Sequence, residues 1–200
     1  MKLAVLISGR GSNLKSILES ERKGSLGIAT VSLIVSNKKD AKGLKYSEEY
    51  NKEAVILENS YNSREEYDKQ LVTILHKHDI DLIVLAGFMR ILTPFFINKF
   101  NNRIVNIHPS LLPAFPGLNA QKQALDYGVK ISGCTVHFVS EEVDAGPIIL
   151  QKAVEISSND TVESLSQKIL KNEHEILPLA LKLISEGKIS IKERKISVVE

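Results

Sequence analysis

The sequence predicts an α/β protein whose mostly parallel sheet becomes mixed in its C-terminal half, with helices on both faces. Through the first half of the chain, short apolar runs alternate with helical patterns, which is typical of strands joined by right-handed crossovers. The run DLIVLA at 81–86 is apolar throughout, as expected of a strand buried on both faces. Two strand-like runs at 132–139 and 148–156 are joined by a short turn, which predicts an antiparallel hairpin.

The length and hydrophobic content suit one domain. The chain has 200 residues, of which 43% are hydrophobic, enough for a sizeable core. We expect a single catalytic domain over residues 1–184 and a short tail over 185–200 that contains a candidate added edge strand.

The charge and cysteine content exclude several classes of function. The 26 Lys and Arg against 24 Asp and Glu give a formal charge of +2, so no overall field attracts nucleic acid or a membrane. Cys134 is the single cysteine and can form no internal disulfide. It lies three residues from His137 on a predicted strand, where the two side chains face opposite ways, so we expect no zinc site.

No signal-peptide pattern or membrane span is present, and we expect a cytoplasmic protein.

The elements of the first half follow from periodicity and capping residues. Strands are predicted at Lys2–Ile7, Thr30–Val35, Ala54–Leu57 and Asp81–Ala86. Helices are predicted from Ser12 or Asn13 as N-cap, across Ala41–Tyr50, and from Asn62 or Ser63 to about His78.

The first strand runs directly into the glycine turn Ser8-Gly-Arg-Gly-Ser-Asn13. Exposed N–H groups and a helix N-terminus meet there, which favours an anion. Leu14 stands where a dinucleotide fingerprint needs its third glycine, and the second strand ends in Ser36-Asn37 without an acidic residue. We therefore expect the terminal phosphate of a small substrate. The alternative is a purely structural turn.

The loop GFMRILTP at 87–94 is unusually apolar for a surface connection. Taken alone, it favours ordinary packing of Phe88 and Met89 under a short helix. The functional interpretation is a flat apolar wall for a heteroaromatic ligand, with Arg90 placed to meet a carboxylate.

The central stretch RIVNIHPSLLP at 103–113 ends a buried strand at His108-Pro109. Asn106 and His108 are two apart and so share a face at the carboxyl end of that strand, where open α/β sheets bind ligands. An amide donor beside an imidazole suits a developing oxyanion and a proton transfer near neutral pH. The alternative is that His-Pro only marks a turn.

The second half predicts a helix at Asn119–Tyr127, the hairpin strands Ser132–Val139 and Ile148–Ile156, and a long helix from about Thr161 to about Ile184. Asp144 lies in the hairpin turn with Gly146-Pro147, and if that turn folds over the crevice it can pair with His108. The alternative is a solvated acidic turn. On the residues alone, Glu173 is an ordinary helix surface residue.

Four blocks in order resemble the phosphoribosylglycinamide formyltransferase family, the folate-dependent formyltransferases of purine synthesis. They are ISGRGSNL at 7–14, LAGFMRILTP at 85–94, NIHPSLLPAFPG at 106–117 and VDAGPIILQ at 143–151. The resemblance covers nearly the whole chain, from Leu3 to about Ile184, and implies a Rossmann-like formyltransferase fold.

The resemblance implies transfer of the formyl group of 10-formyltetrahydrofolate, the co-substrate, to the amine of 5-phosphoribosylglycinamide (GAR), giving formyl-GAR and tetrahydrofolate without a metal. Asn106 and His108 would stabilise the oxyanion and move the proton, and Asp144 would tune His108 by raising its pKa. The implied GAR-binding residues are Gly11, Ser12, Asn13, Pro109 and Glu173. The implied folate-binding residues are Arg64, Met89, Arg90, Ile91, Leu92, Asn106, Ser140, Glu141, Val143 and Asp144. We expect a monomer or homodimer.

One departure from the family concerns Asn119-Ala120-Gln121, where some members carry histidines, and it bears on contacts to the substrate phosphate. The alternatives are formyltetrahydrofolate hydrolase, methionyl-tRNA formyltransferase and a non-catalytic folate- or nucleotide-binding module. The hydrolase usually has a further N-terminal domain, and the tRNA enzyme a further C-terminal domain and a basic face. The presence of Asn106, His108 and Asp144 together argues against the binding module.

Overall fold

The computed structural model describes residues 1–58 and 62–199. Within them a seven-stranded sheet has the order β3-β2-β1-β4-β5-β6-β7. Its strands are β1 (Lys2–Ile7), β2 (Thr30–Ser36), β3 (Glu53–Ile56), β4 (Leu82–Leu85), β5 (Ile104–His108), β6 (Ile131–Phe138) and β7 (Ile148–Glu155). Strands β1 to β5 pair in parallel, whereas β6 and β7 are antiparallel to their neighbours, so the predicted mixed sheet is confirmed.

The helices are α1 (Ser12–Arg22), α2 (Lys45–Glu49), α3 (Arg64–Lys77), α4 (Pro94–Lys99), α5 (Ala120–Tyr127) and α6 (Val162–Ser185). Helix α3 begins at the predicted cap, since the Ser63 side chain accepts from the Glu66 N–H. The predicted cap of α1 was wrong: Gly11 takes that position with a φ of 72° and no side-chain bond. The predicted helix at 41–50 is a 3-10 turn, Lys42–Leu44, followed by the short α2.

The sheet separates two apolar clusters, which explains why its central strands read as continuous apolar runs. Alternate residues of β1 point to opposite faces: Leu3 and Val5 pack with α1 and α6, whereas Ala4 and Leu6 pack with α3 and α4. Helices therefore cover both faces of the sheet, as predicted.

The C-terminal tail differs from the prediction. Rather than adding an edge strand to the main sheet, β8 (Ile189–Lys192) and β9 (Lys195–Val198) pair with each other as a separate antiparallel hairpin within the described tail. A tight turn at Glu193, whose φ is 56°, lets the segment satisfy its own backbone hydrogen bonds. Ile189, Ile191 and Ile196 of this hairpin pack against the larger core cluster.

The fold places several polar residues at one edge of the sheet. Because β1, β4 and β5 are parallel, their carboxyl ends bring Ser8, Gly87 and His108 to the same side. The antiparallel register of β5 and β6 sets His137 directly opposite Asn106. No helix in the described part of the chain is both long and apolar enough to cross a membrane.

Candidate active site

Asp144 is the centre of a compact polar cluster. Its Oδ2 lies 3.2 Å from His108 Nδ1 and accepts from the Gly117 N–H at 2.8 Å. Its Oδ1 accepts from Asn106 Nδ2 at 3.4 Å. The turn before β7 makes this possible: Asp144 has a φ of 53°, and a Cβ at Gly146 would lie only 1.8 Å from the Phe138 carbonyl oxygen. The structure therefore brings together the three residues predicted for catalysis.

His108 is held through both ring nitrogens. Its Nε2 donates to the Phe115 carbonyl oxygen at 2.9 Å, because a carbonyl can only accept, while Nδ1 faces the Asp144 carboxylate. Phe115 presents its carbonyl from a loop in which its own φ is 53°. A proton on both nitrogens suits these two contacts, so His108 is oriented before any substrate arrives.

Burial opposes that charge on His108. The side chain is 5% exposed, and loss of water, with a further contribution from His137, lowers its pKa although the Phe115 carbonyl and the Asp144 carboxylate act to raise it. Asp144 thus acts in the expected direction, but the net pKa of His108 lies below its ordinary value rather than above it. A ring with a lowered pKa gives up its extra proton readily, which suits a proton carrier.

Asp144 itself stays ionised. Burial alone would raise its pKa, but His137, the Gly117 N–H and the charge of His108 together hold that pKa below its ordinary value. An ionised carboxylate at this position favours a protonated His108.

His137 is a member of the cluster that sequence reasoning missed. Its Nδ1 donates to the Phe138 carbonyl oxygen at 2.8 Å, and its Nε2 lies 3.2 Å from Asn106 Nδ2 and 3.7 Å from Asp144 Oδ1. Nε2 accepts from Asn106 in the neutral ring and faces Asp144 as a donor when protonated. This contact turns the Asn106 NH₂ group toward Asp144. Only the register of β5 with β6 places His137 there, and the sequence pattern gives no signal for that register beyond the predicted strand itself.

A groove of about 710 Å³ opens beside the polar cluster. Its wall is apolar and open to solvent, with Met89 65%, Ile91 59% and Val143 53% exposed. The predicted folate residues that line it are Met89, Arg90, Ile91, Leu92, Asn106, Ser140, Glu141, Val143 and Asp144, and Pro109 from the GAR set joins them. Arg64 lies outside this lining, on the exposed first turn of α3.

The hairpin turn contributes its own contacts to this groove. Ser140 Oγ donates to the Glu142 carbonyl oxygen at 3.0 Å, and Glu141 Oε1 accepts from Asn98 at 2.9 Å. The turn is thereby tied to α4, across the mouth of the groove, so Glu141 has a structural partner and is more than a solvated acidic residue.

The glycine turn after β1 is built for close approach of the backbone. A Cβ on Gly11 would lie 2.6 Å from Gly43 Cα, so the 3-10 turn leaves space there only for glycine. Gly11 caps α1, whose first turn presents unpaired backbone N–H groups at Ser12 and Asn13. This geometry suits an anion.

Glu173 lies beside this turn. It projects from α6, is 7% exposed, and its Oε2 accepts from Asn13 Nδ2 at 2.8 Å. Burial raises the pKa of Glu173, an effect that the Asn13 hydrogen bond only partly offsets. The assignment of Glu173 as an ordinary surface residue was wrong, and the placement implied by the family resemblance is consistent with this contact.

Ser8 was also missed by sequence reasoning. Its Oγ donates to Asn37 Oδ1 at 2.6 Å and accepts from the Met89 N–H at 2.8 Å, so it joins the ends of β1, β2 and β4. A serine directly before the glycine turn was the available signal, but its partners follow only from the strand order.

An amide and an imidazole beside an ionised carboxylate, at the floor of an apolar groove in an α/β sheet, define an enzyme equipped for acyl transfer. The family model described as formyl transferase matches residues 1–181. The chain belongs to the formyl transferase family.

Two named relatives show which formyl transferases the chain is similar to. The chain is 39% identical over 194 residues to the phosphoribosylglycinamide formyltransferase of Escherichia coli, covering 96% of this chain and 91% of that protein. It is 45% identical over 194 residues to the chicken trifunctional purine biosynthetic protein adenosine-3, covering 96% of this chain. The chain spans about a fifth of the length of that trifunctional relative, 19%.

Solved structures agree with this placement. Glycinamide ribonucleotide transformylase 1 from Symbiobacterium toebii superposes with a TM-score of 0.97 at 45% identity, covering 100% of this chain and 94% of that one. A formyltetrahydrofolate deformylase from Pseudomonas syringae is more distant, with a TM-score of 0.92 at 26% identity, covering 100% of this chain and 66% of that one.

Proposed function

We infer that the protein transfers the formyl group of 10-formyltetrahydrofolate to the amine of 5-phosphoribosylglycinamide, a step of purine biosynthesis. The single observation that carries this is the Asn106, His108 and Asp144 cluster at the floor of the apolar groove. Two named relatives, from Escherichia coli and Symbiobacterium toebii, support the choice of acceptor.

The two substrates would enter from different sides of the sheet edge. The phosphate of GAR suits the glycine turn, where the backbone N–H groups of Gly11, Ser12 and Asn13 and the start of α1 favour an anion. Glu173, which is bonded to Asn13, would meet the amine side of GAR, and Pro109 would border it. The pterin of the folate suits the wall formed by Met89 to Leu92 and the 140–144 turn, and Arg64 would meet its outer carboxylate.

The reaction forms one bond to the formyl carbon and breaks another. The neutral amine attacks, and the carbonyl oxygen gains negative charge in a tetrahedral intermediate. The Asn106 NH₂ group contacts His137 at 3.2 Å and Asp144 at 3.4 Å, and by exchanging the longer contact as its planar amide rotates it would donate one N–H to that oxygen. A proton then passes from the attacking nitrogen to the departing folate nitrogen, and His108 paired with Asp144 would carry it.

His108 must exchange one partner to take this role. Its Nε2 donates to Phe115 and its Nδ1 faces Asp144, so contact with substrate requires one of these bonds to open. The Phe115 carbonyl lies on the loop between β5 and α5, whereas Asp144 is fixed by Gly117 and Asn106 as well. The Phe115 contact is therefore the one we expect to be exchanged.

The remaining expectations concern the setting of the enzyme. We propose that it acts in the cytoplasm on these two small molecules, as a monomer or homodimer, and that nucleic acid and membranes are not partners. The formyl-folate is a co-substrate, and the described residues contain no group of three His, Cys, Asp or Glu arranged to hold a metal ion.

A folate-release assay tests the proposal. The purified protein is given 10-formyltetrahydrofolate with and without GAR, and the His108→Ala variant is measured in parallel. We expect release that requires GAR and falls by about 10²- to 10⁴-fold in the variant. Release that proceeds equally without GAR would instead identify the hydrolase, the activity named for the Pseudomonas relative. No release under either condition would contradict both readings.

A further inference from the structure

One face of the first two turns of α3 is directed at the apolar loop of the groove. Arg64, Tyr67 and Asp68 have the i, i+3, i+4 spacing that places side chains on one helix face. The Tyr67 ring lies under the Arg90 guanidinium, 3.7 Å from its Cζ. Asp68 is 1% exposed and its Oδ2 accepts both from the Thr93 N–H at 2.8 Å and from Thr93 Oγ1 at 2.7 Å.

These contacts fasten one end of the loop that forms the groove wall. Thr93 ends that loop and also caps α4 by accepting from the Phe96 N–H. The other end is fastened by Ser8, which donates its N–H to the Gly87 carbonyl oxygen and accepts from the Met89 N–H. The wall is thus suspended between two polar anchors that belong to other elements.

Phe88 and Leu92 of this loop are buried in the core cluster, but the wall residues between them are not held by packing and so need further anchors. Met89 and Ile91 are 65% and 59% exposed, as a surface waiting for a ligand must be, whereas Leu92 next to Thr93 is 7% exposed. A buried carboxylate that accepts two hydrogen bonds from one residue restrains that residue's position more firmly than apolar contact does.

We propose that Asp68 is a positioning residue for the folate side of the reaction: by holding Thr93 from helix α3, it sets the loop at 89–92 at the distance and angle that a flat heteroaromatic ring requires. Asp68 does not line the groove and touches no substrate. Since Arg64 begins the same helix, Asp68 also fixes that cation relative to the wall. The inference rests on the proposed function.

Steady-state kinetics of Asp68→Ala, Asp68→Asn and a control tests this. In Asp68→Ala we expect KM for 10-formyltetrahydrofolate to rise about tenfold, as for one lost charged hydrogen bond of about 1.4 kcal/mol, with kcat and KM for GAR within about twofold. Asp68→Asn keeps an acceptor oxygen in the same shape and should recover most of the affinity. The control, Asp126→Asn, removes a helix carboxylate that pairs with Lys122 on the surface and should change neither KM.

The outcomes separate positioning from stability. If Asp68→Ala lowers the melting temperature while KM for formyl-folate stays unchanged, or raises both KM values equally, the proposal is wrong. If that variant fails to fold, Thr93→Val removes the hydroxyl contact to Asp68 together with the α4 cap and keeps the backbone contact to Asp68, and a smaller rise confined to the formyl-folate KM is then required. Absence of GAR-dependent transfer in the wild type would overturn the proposed function itself. Normal transfer in the wild type, with an unchanged formyl-folate KM in Asp68→Ala, would overturn only the role of Asp68.

Discussion

Two carboxylates border the candidate active site, Asp144 half-buried and Glu173 buried, and their pKa values are shifted in opposite directions. Asp144, in the turn before β7, lies against two histidines and a backbone N–H, and its pKa is lowered although burial acts to raise it. Glu173, on α6, is buried with Asn13 as its donor, and burial raises its pKa. Both are carboxylates at the same edge of the sheet, but Asp144 lies beside two histidines and two N–H donors, whereas Glu173 accepts from the Asn13 amide.

The comparison teaches that burial and donors act together on the charge of a carboxylate: Asp144 is less buried and has several donors, whereas Glu173 is more deeply buried with Asn13 as its donor. Pairs of acids with divergent pKa values mark the division of work in many active sites. Here Asp144 suits a permanent negative charge beside His108. Burial raises the pKa of Glu173, so this carboxyl keeps its proton to a higher pH than an exposed glutamate does, which suits a group that meets an amine in the neutral form in which that amine attacks.

The largest effect is expected for Asp144→Asn. The amide cannot supply the negative charge that favours a proton on His108, and its NH₂ group would face donors from Gly117 and Asn106. We expect kcat to fall by about 10²- to 10⁴-fold, with KM for both substrates changed by less than about threefold. Single-turnover formyl transfer across a pH series measures this.

The same pH series can also contradict the proposed role of Asp144. In the variant the pKa of His108 loses the contribution of Asp144 that raises it, so the residual activity should shift to lower pH. Near wild-type activity with an unshifted profile would show that Asp144 is structural. Asp126→Asn is the control, since Asp126 pairs with Lys122 on the exposed surface of α5 and does not line the groove.

The fold was predictable because the deciding signals are local. The apolar run of β4 predicts a buried strand, and the break at His108-Pro109 predicts where the next strand ends. Both signals depend on adjacent residues, through short-range sterics and burial. The same holds for Asn106 and His108, which share a strand face through a spacing of two.

What the sequence could not supply are the contacts that depend on distant pairing. His137 reaches Asn106 only through the antiparallel register of β5 and β6. Glu173 reaches Asn13 across 160 positions of sequence, and the general preference of charged residues for the surface placed it there. The tail was misjudged for a related reason, since a strand pattern does not reveal whether it pairs with the sheet or with itself.

An intermediate effect is expected for Glu173→Gln. The affinity for GAR should fall, whereas stability relative to the wild type should rise at higher pH. Loss of the carboxylate should raise KM for GAR by about tenfold, as for one charged hydrogen bond. The folded-state pKa of Glu173 lies above the ordinary 4.5, so the folded wild type binds this proton more tightly than the unfolded chain and loses stability as pH rises from 4.5 through the folded value. The glutamine variant lacks that loss.

Thermal unfolding of the two proteins at about pH 4.5 and about pH 8 measures this difference. The melting temperature of the variant should exceed that of the wild type by more at the higher pH, because Gln keeps an acceptor for Asn13. An equal or smaller excess at the higher pH would show that Glu173 is not held above its ordinary pKa. Glu175→Gln is the control. Glu175 lies two residues after Glu173 on the same helix, and its exposed carboxylate pairs with Lys152.

The smallest effect is expected at Cys134, which completes the series with a buried acid that meets no donor. Its Sγ faces the Lys152 carbonyl oxygen, its side chain is 0% exposed, and burial, followed by the charge of Glu173, raises its pKa to about 12. At about pH 8 only about one thiol in 10⁴ would be ionised, so iodoacetamide should leave the native protein unlabelled and add one group per chain in urea. Labelling of the native thiol within minutes would mean that β6 opens. The difference in burial between Asp144 and Glu173 would then not persist in solution.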